Sequence, residues 1–173
     1  RQAAAHQTRL AEALEDASDA AALDSYLAAY ERDHEDVAAV RGIGRLASAR
    51  HDIARIEMAA EGELLTTHDL DVASGLYLFS SALRQSAGDV DGAINLASHA
   101  LAIHPESDEA LGRLVELRLE HHQIDALVQE LSNAAGQAKS KERAAALWIK
   151  VAHILADTRG DVAGAIGALN RVT

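Results

Sequence analysis

Apolar residues recur along the chain in short stripes at helical spacing. One stripe is Val40, Ile43, Gly44 and Ala47, and the next is Leu76, Phe79, Ser80 and Leu83. Two more follow: Leu111, Leu114, Val115 and Arg118, then Trp148, Val151, Ala152 and Leu155. Such spacing puts four side chains on one face of an α-helix, whose turn takes about 3.6 residues. The third place is small in most of the stripes, so a facing helix can approach closely there. Between these segments lie others with the same logic: Ala22, Tyr26, Ala29 and Tyr30, and Ala93, Ala97, Ala100 and Leu101. Large and small residues alternate across them, as packed helix pairs require.

The stripes themselves repeat. Leu76-Tyr77-Leu78-Phe79 leads to Gly88-Asp89-Val90-Asp91-Gly92-Ala93-Ile94, and Trp148-Ile149-Lys150-Val151 leads to Gly160-Asp161-Val162-Ala163-Gly164-Ala165-Ile166. The offset is 72 residues, from 88 to 160, or two units of 36. Between them His121-His122 takes the turn place and Ala126-Leu127 the place of Ala-Ile. Further back, His51-Asp52 precedes a helix from Ile53 to Leu65, and Ala17-Ser18 precedes Ala22-Leu23. Turn marks near 17, 51, 88, 121 and 160 predict five helix pairs, about ten helices, with units near 1–33, 34–67, 68–104, 105–137 and 138–173. Asp36, Asp89 and Asp161 suit N-caps or first turns, where a carboxylate meets free N–H groups. Pro105, the single proline, fits between one helix stop and the next start.

This pattern resembles the tetratricopeptide repeat, a helix-turn-helix unit. Leu76, Phe79, Ser80, Gly88, Ala93, Ala97, Ala100 and Pro105 stand at the family's characteristic places, as do Trp148 and Gly44 in other units. The likeness covers roughly residues 17–172. The aromatic near the end of the first helix is missing throughout, and Arg118 takes a core place. An α-solenoid of another class fits the same pattern. The resemblance implies an all-α fold, a right-handed α-solenoid of antiparallel helix hairpins, forming a single repeat domain. It also implies that first helices line a concave groove. The places facing that groove map to Arg41 and Arg45, Tyr77 and Ser81, Gly112 and Glu116, and Ile149 and His153, with Arg84 on the same stripe. Three arginines there could hold an acidic peptide, since guanidinium pairs bidentately with carboxylate. They could equally pair with acids on neighbouring helices. The family's Lys and Asn carboxylate clamp is not reproduced. Tyr77 is either a groove hot spot or packed between hairpins.

Composition narrows the function. Apolar residues are 49% of the chain but aromatics only 3%, which suits closely packed helices better than strands. A net charge of −11 opposes nucleic acid and anionic membrane surfaces as partners. The absence of cysteine excludes disulfides, thiolate zinc sites and cysteine nucleophiles, and fits a reducing compartment such as the cytoplasm. No apolar run is long enough to span a membrane. Arg1 and the uncapped end Asn170-Arg171-Val172-Thr173 suggest a piece of a longer chain.

Candidate chemistry is sparse. Arg41-Gly42-Ile43-Gly44-Arg45 has two glycines but lies in a helical pattern without a preceding strand, so it is no phosphate loop. Among nine histidines, His99 with His104 and the pair His121-His122 have poor chelate spacing, and the latter reads as a turn. Acid pairs such as Glu15-Asp16 and Glu35-Asp36 sit at helix ends beside solvent, where a catalytic pKa is hard to raise. The expectation is a non-enzymatic scaffold, without cofactor or metal, that binds a protein or peptide. The competing reading is self-assembly through the exposed ends of the solenoid, since terminal repeats need polar caps. A small-ligand sensor would need a closed apolar pocket.

Overall fold

The computed structural model describes residues 2–15 and 18–172. Among these residues it contains ten α-helices and no strand. They are α1 (Gln2–Leu14), α2 (Asp19–Arg32), α3 (Val37–Ala49), α4 (Ile53–Thr66), α5 (Leu70–Ser86), α6 (Val90–Ile103), α7 (Asp108–Glu120), α8 (Ile124–Gln137), α9 (Lys141–Arg159) and α10 (Val162–Leu169). The expected all-α reading and the count of five pairs both hold. Of the turn marks, Ala17 lies outside the described residues, as does Asp16 of the acid pair.

Most helices begin on a side-chain cap. The hydroxyls of Ser18, Ser107 and Ser140, and the carboxylates of Asp36, Asp52, Asp69 and Asp161, each accept the backbone N–H three residues on. Asp89 does the same for α6, accepting from Gly92 N at 2.9 Å. Such bonds satisfy donors that no helical carbonyl can reach. The turns inside the four pairs from α3 onward share a second device. Each reverses through a left-handed residue: His51, Gly88, His122 and Gly160 have φ of 56°, 82°, 55° and 65°.

The chain divides into two compact units, residues 1–93 and 94–173, with the boundary inside α6. In the first unit α1 packs on α2, α2 on α3, α3 on α4 and α4 on α5. Its core includes Leu23, Tyr26, Ile43, Leu46 and Ile56, interleaved with alanines. Glycines set the closest approaches. A Cβ on Gly42 would stand 2.5 Å from the Tyr26 ring, and one on Gly62 would stand 2.9 Å from Val40. Gly44 faces Ala59 across α3 and α4, which is the close approach its place in the stripe predicts. In the second unit α7 packs on α8, α8 on α9 and α9 on α10. Leu114, Leu117, Leu127, Leu131 and Leu147 are fully buried there.

The stripe expected for α5 is turned by about one residue. Tyr77 and Leu78 are buried, whereas Phe79 is 37% exposed, its ring edge-on to His51 at 5.9 Å. Arg118, at a core place in α7, is kept half-buried by pairing. It donates to Glu130 on α8 through Nε at 3.0 Å and Nη2 at 2.6 Å, and to Gln123.

Candidate functional site

The stripes that bury one face of each helix leave a second face of α3, α7 and α9 toward solvent. In the second unit α7 and α9 bound an open cleft of about 340 Å³. Val115 and Leu119 come from α7; Ile149, Lys150, His153 and Ile154 come from α9, with Asp157 and Thr158 at one end. Ile149 is 38% exposed, a large apolar side chain at the mouth of an apolar floor. The structure thus brings Ile149 and His153 together, one turn apart on α9. Glu116 does not line the cleft. It is exposed on α7 and accepts from Arg113 Nη1 at 3.3 Å.

In the first unit, Arg41 and Arg45 line one smaller pocket of about 180 Å³ between α3, α4 and α5. Neither arginine lacks a carboxylate. Arg41 donates to Glu63 Oε1 through Nη2 at 2.8 Å and Nε at 3.2 Å. Its guanidinium is held above the ordinary range, first by that hydrogen bond and then by the Glu63 charge. Arg45 grips Glu15 with both terminal nitrogens, at 2.5 and 2.6 Å. The Tyr26 hydroxyl also donates to Glu15. The Arg45 bond, followed by that of Tyr26, holds the Glu15 carboxyl below its usual range. Burial, reinforced by Glu15, pushes the Tyr26 hydroxyl up to about 12.

Arg84 spans α4, α5 and the cap of α6. It donates to Glu57 at 3.0 Å and to Asp89 at 2.8 Å. The hydrogen bond from Arg84, with that from Gly92, holds Asp89 below its usual range. All three arginines of the expected groove therefore carry intramolecular carboxylate partners, the second of the two roles their sequence allowed.

Tyr77 and Ser81 do not face a groove. Tyr77 is 4% exposed, and burial beside Glu61 and Glu57 pushes its hydroxyl up to about 12. Ser81 is fully buried and donates to the Ala93 carbonyl at 2.7 Å. The rotation of α5 described above explains both corrections: the residues taken as its outward stripe are part of its inward one.

One residue of this region escaped the sequence reading. Glu63 is 1% exposed at the base of the pocket that Arg41 and Arg45 border. Its signal was present, because Ile56, Ala59, Ala60 and Glu63 share the spacing of the apolar stripes and are all buried. Its Oε1 takes Arg41 and the Thr67 hydroxyl at 2.7 Å, while Oε2 has no hydrogen-bond partner.

Among the described residues no group of three or more histidine, aspartate or glutamate side chains is placed to hold a metal ion. No helix among them is long and apolar enough to cross a membrane.

No family model matches the chain, and no curated protein sequence matches it. Among solved structures, it is similar to a Podosopora anserina kinesin light chain candidate with nearly identical TPR-like repeats. The identity is 15%, the match covers 96% of this chain and 92% of that one, and the TM-score is 0.42.

Proposed function

We propose that this chain is a protein-interaction module that seats a segment of a partner polypeptide in the cleft between α7 and α9. The observation that carries the reading is Ile149, more than a third exposed over a floor of Val115, Leu119 and Ile154. A large aliphatic side chain left at the mouth of an apolar cleft gains free energy when covered, by about 25 cal/mol for each Å² removed from water. Lys150, His153 and Asp157 at the edges supply polar contacts of both signs, which orient a partner more than they hold it. Helix pairs closed by short turns present such a cleft without reorganising, which lowers the ordering cost of binding.

A displayed peptide library selected on the intact chain tests this. Enriched peptides should carry an apolar anchor, and Ile149→Asp should weaken them about tenfold or more, a loss expected when an apolar contact is replaced by a buried charge. Circular dichroism should be unchanged, because position 149 is on the surface. Peptides that bind the variant equally well, or a library that yields none, would exclude the cleft.

One observation favours a second reading, self-association. Val162, Ile166 and Leu169 of α10 are exposed at 63%, 54% and 47%. That face is apolar and is offered to solvent.

A further inference from the structure

We propose that the pocket between α8, α9 and α10 binds a small monocarboxylic acid with an apolar body, its carboxylate paired with Arg171 beside Trp148. The site is separate from the partner-binding cleft, because Trp148, Val151 and Leu155 stand on another face of α9 from Ile149 and His153.

The cation comes first. Arg171 and Trp148 both line the pocket, and the guanidinium carbon stands 4.8 Å from the indole centroid. That is within cation–π reach, and a guanidinium lying against a ring keeps its in-plane N–H donors for another partner. Among the described residues none accepts a hydrogen bond from this side chain. By contrast Arg41, Arg45, Arg84, Arg118, Arg143 and Arg159 each hold a carboxylate. Arg171 is exposed, so its donors are open to a ligand from solvent.

The walls define the body of that ligand. Val128, Val151, Leu155 and Ala168 give an apolar lining to an open space of about 430 Å³, within the size range of small-molecule sites. Gly167 leaves room on the α10 side. A Cβ there would meet nothing within 4 Å, so no neighbour's packing requires a glycine at that position. Gly164 is different, since a Cβ there would stand 2.4 Å from the Asp161 carboxylate that caps α10.

Charge selects the head group. None of the lining residues is acidic, and Gln129 and Ser132 are neutral. An ammonium head would face Arg171 with no carboxylate in the lining to receive it. An amide or alcohol gains one ordinary hydrogen bond. A carboxylate takes two parallel N–H donors, the arrangement in which guanidinium binds it most strongly. The indole fixes the guanidinium beforehand, which lowers the ordering cost of the pair.

The test titrates the intact chain with 3-phenylpropionate, 3-phenylpropionamide and 3-phenylpropylamine, which share one body and differ in the head. Two-dimensional NMR follows the chain's single indole N–H and the amides of α10. The acid should bind about fivefold tighter than the amide, the upper end of what an exposed ion pair contributes, and the amine should bind weakest. Arg171→Gln should make acid and amide equal. Gly167→Leu, which fills the space from an exposed helical position, should abolish binding of all three without lowering the melting temperature. Ile149→Asp should change none of these affinities.

Equal binding of acid and amide to the unaltered chain would overturn the proposal. So would tightest binding of the amine, an acid preference that survives Arg171→Gln, or no shift of the indole N–H with any ligand. Binding that persists in Gly167→Leu, or is lost in Ile149→Asp, would put the acid in another site and overturn it as well. The acids and the peptides selected at Ile149 report on different faces of α9, so the failure of one is distinguishable from the failure of the other.

Discussion

At the scale of single residues, the turns hold free energy that substitution can recover. His122 is exposed and adopts a left-handed conformation that costs an L-residue about 1 kcal/mol or more. Glycine adopts it freely but loses more entropy on folding, so the net gain from His122→Gly should be about 0.5 kcal/mol. Urea denaturation measures it, and a loss of stability would show that the imidazole matters to the turn. The contact of Arg45 with Glu15 gives a second expectation at this scale. Glu15 titrates below its unfolded value in the folded chain, so its contribution is present above the unfolded pKa and fades as pH falls through the folded one. The stability gap between the wild type and Arg45→Met should therefore narrow on acidification, and a gap independent of pH would assign Arg45 a packing role alone. Tyr26 works in the opposite sense, favouring the fold below its unfolded pKa and ceasing to do so as pH rises toward about 12. None of these pairings was legible in the sequence. Arg41 and Glu63 are 22 residues apart, and Arg45 and Glu15 are 30 apart, so only the packing of different helices decides which acid each cation meets.

At the scale of helices, glycine has two opposite meanings that the sequence does not separate. Gly42 in α3 receives the Tyr26 ring, so Gly42→Ala should destabilise by about 1–3 kcal/mol through overpacking. Gly112 in α7 is exposed with nothing within 4 Å of an added Cβ, and Gly112→Ala should stabilise by about 0.5–1 kcal/mol. Thermal melts of the two variants should move in opposite directions; shifts of the same sign would contradict the packing of α2 on α3. Helix positions were legible because turn residues and spacing agreed, with Asp36, Asp89 and Asp161 marking three of the starts. Helix facing was legible where small and large residues alternated, as in α3 and α9. It failed in α5, where Leu76, Tyr77, Leu78 and Phe79 form an unbroken apolar run. Periodicity then leaves the rotation of the helix open by a residue, and the tertiary contacts of Tyr77 decide it. Glu63 was missed for a related reason: a charged residue closing an apolar stripe reads as the end of the stripe until the partner that buries it is known.

For the whole molecule, the open question is what the exposed apolar surfaces meet. If α10 associates with another copy, light scattering should show a mass that grows with protein concentration, and Ile166→Lys with Leu169→Glu should abolish the growth. A mass that stays constant would exclude self-association through α10. The two compact units also differ in one respect that experiment can use directly. All three tyrosines, Tyr26, Tyr30 and Tyr77, belong to residues 1–93, and the single tryptophan, Trp148, belongs to residues 94–173 with Arg171 4.8 Å above its ring. Selective excitation of the indole reports on the C-terminal half alone, so its melting can be set beside that of the whole helical chain, followed by circular dichroism, in the unlabelled protein.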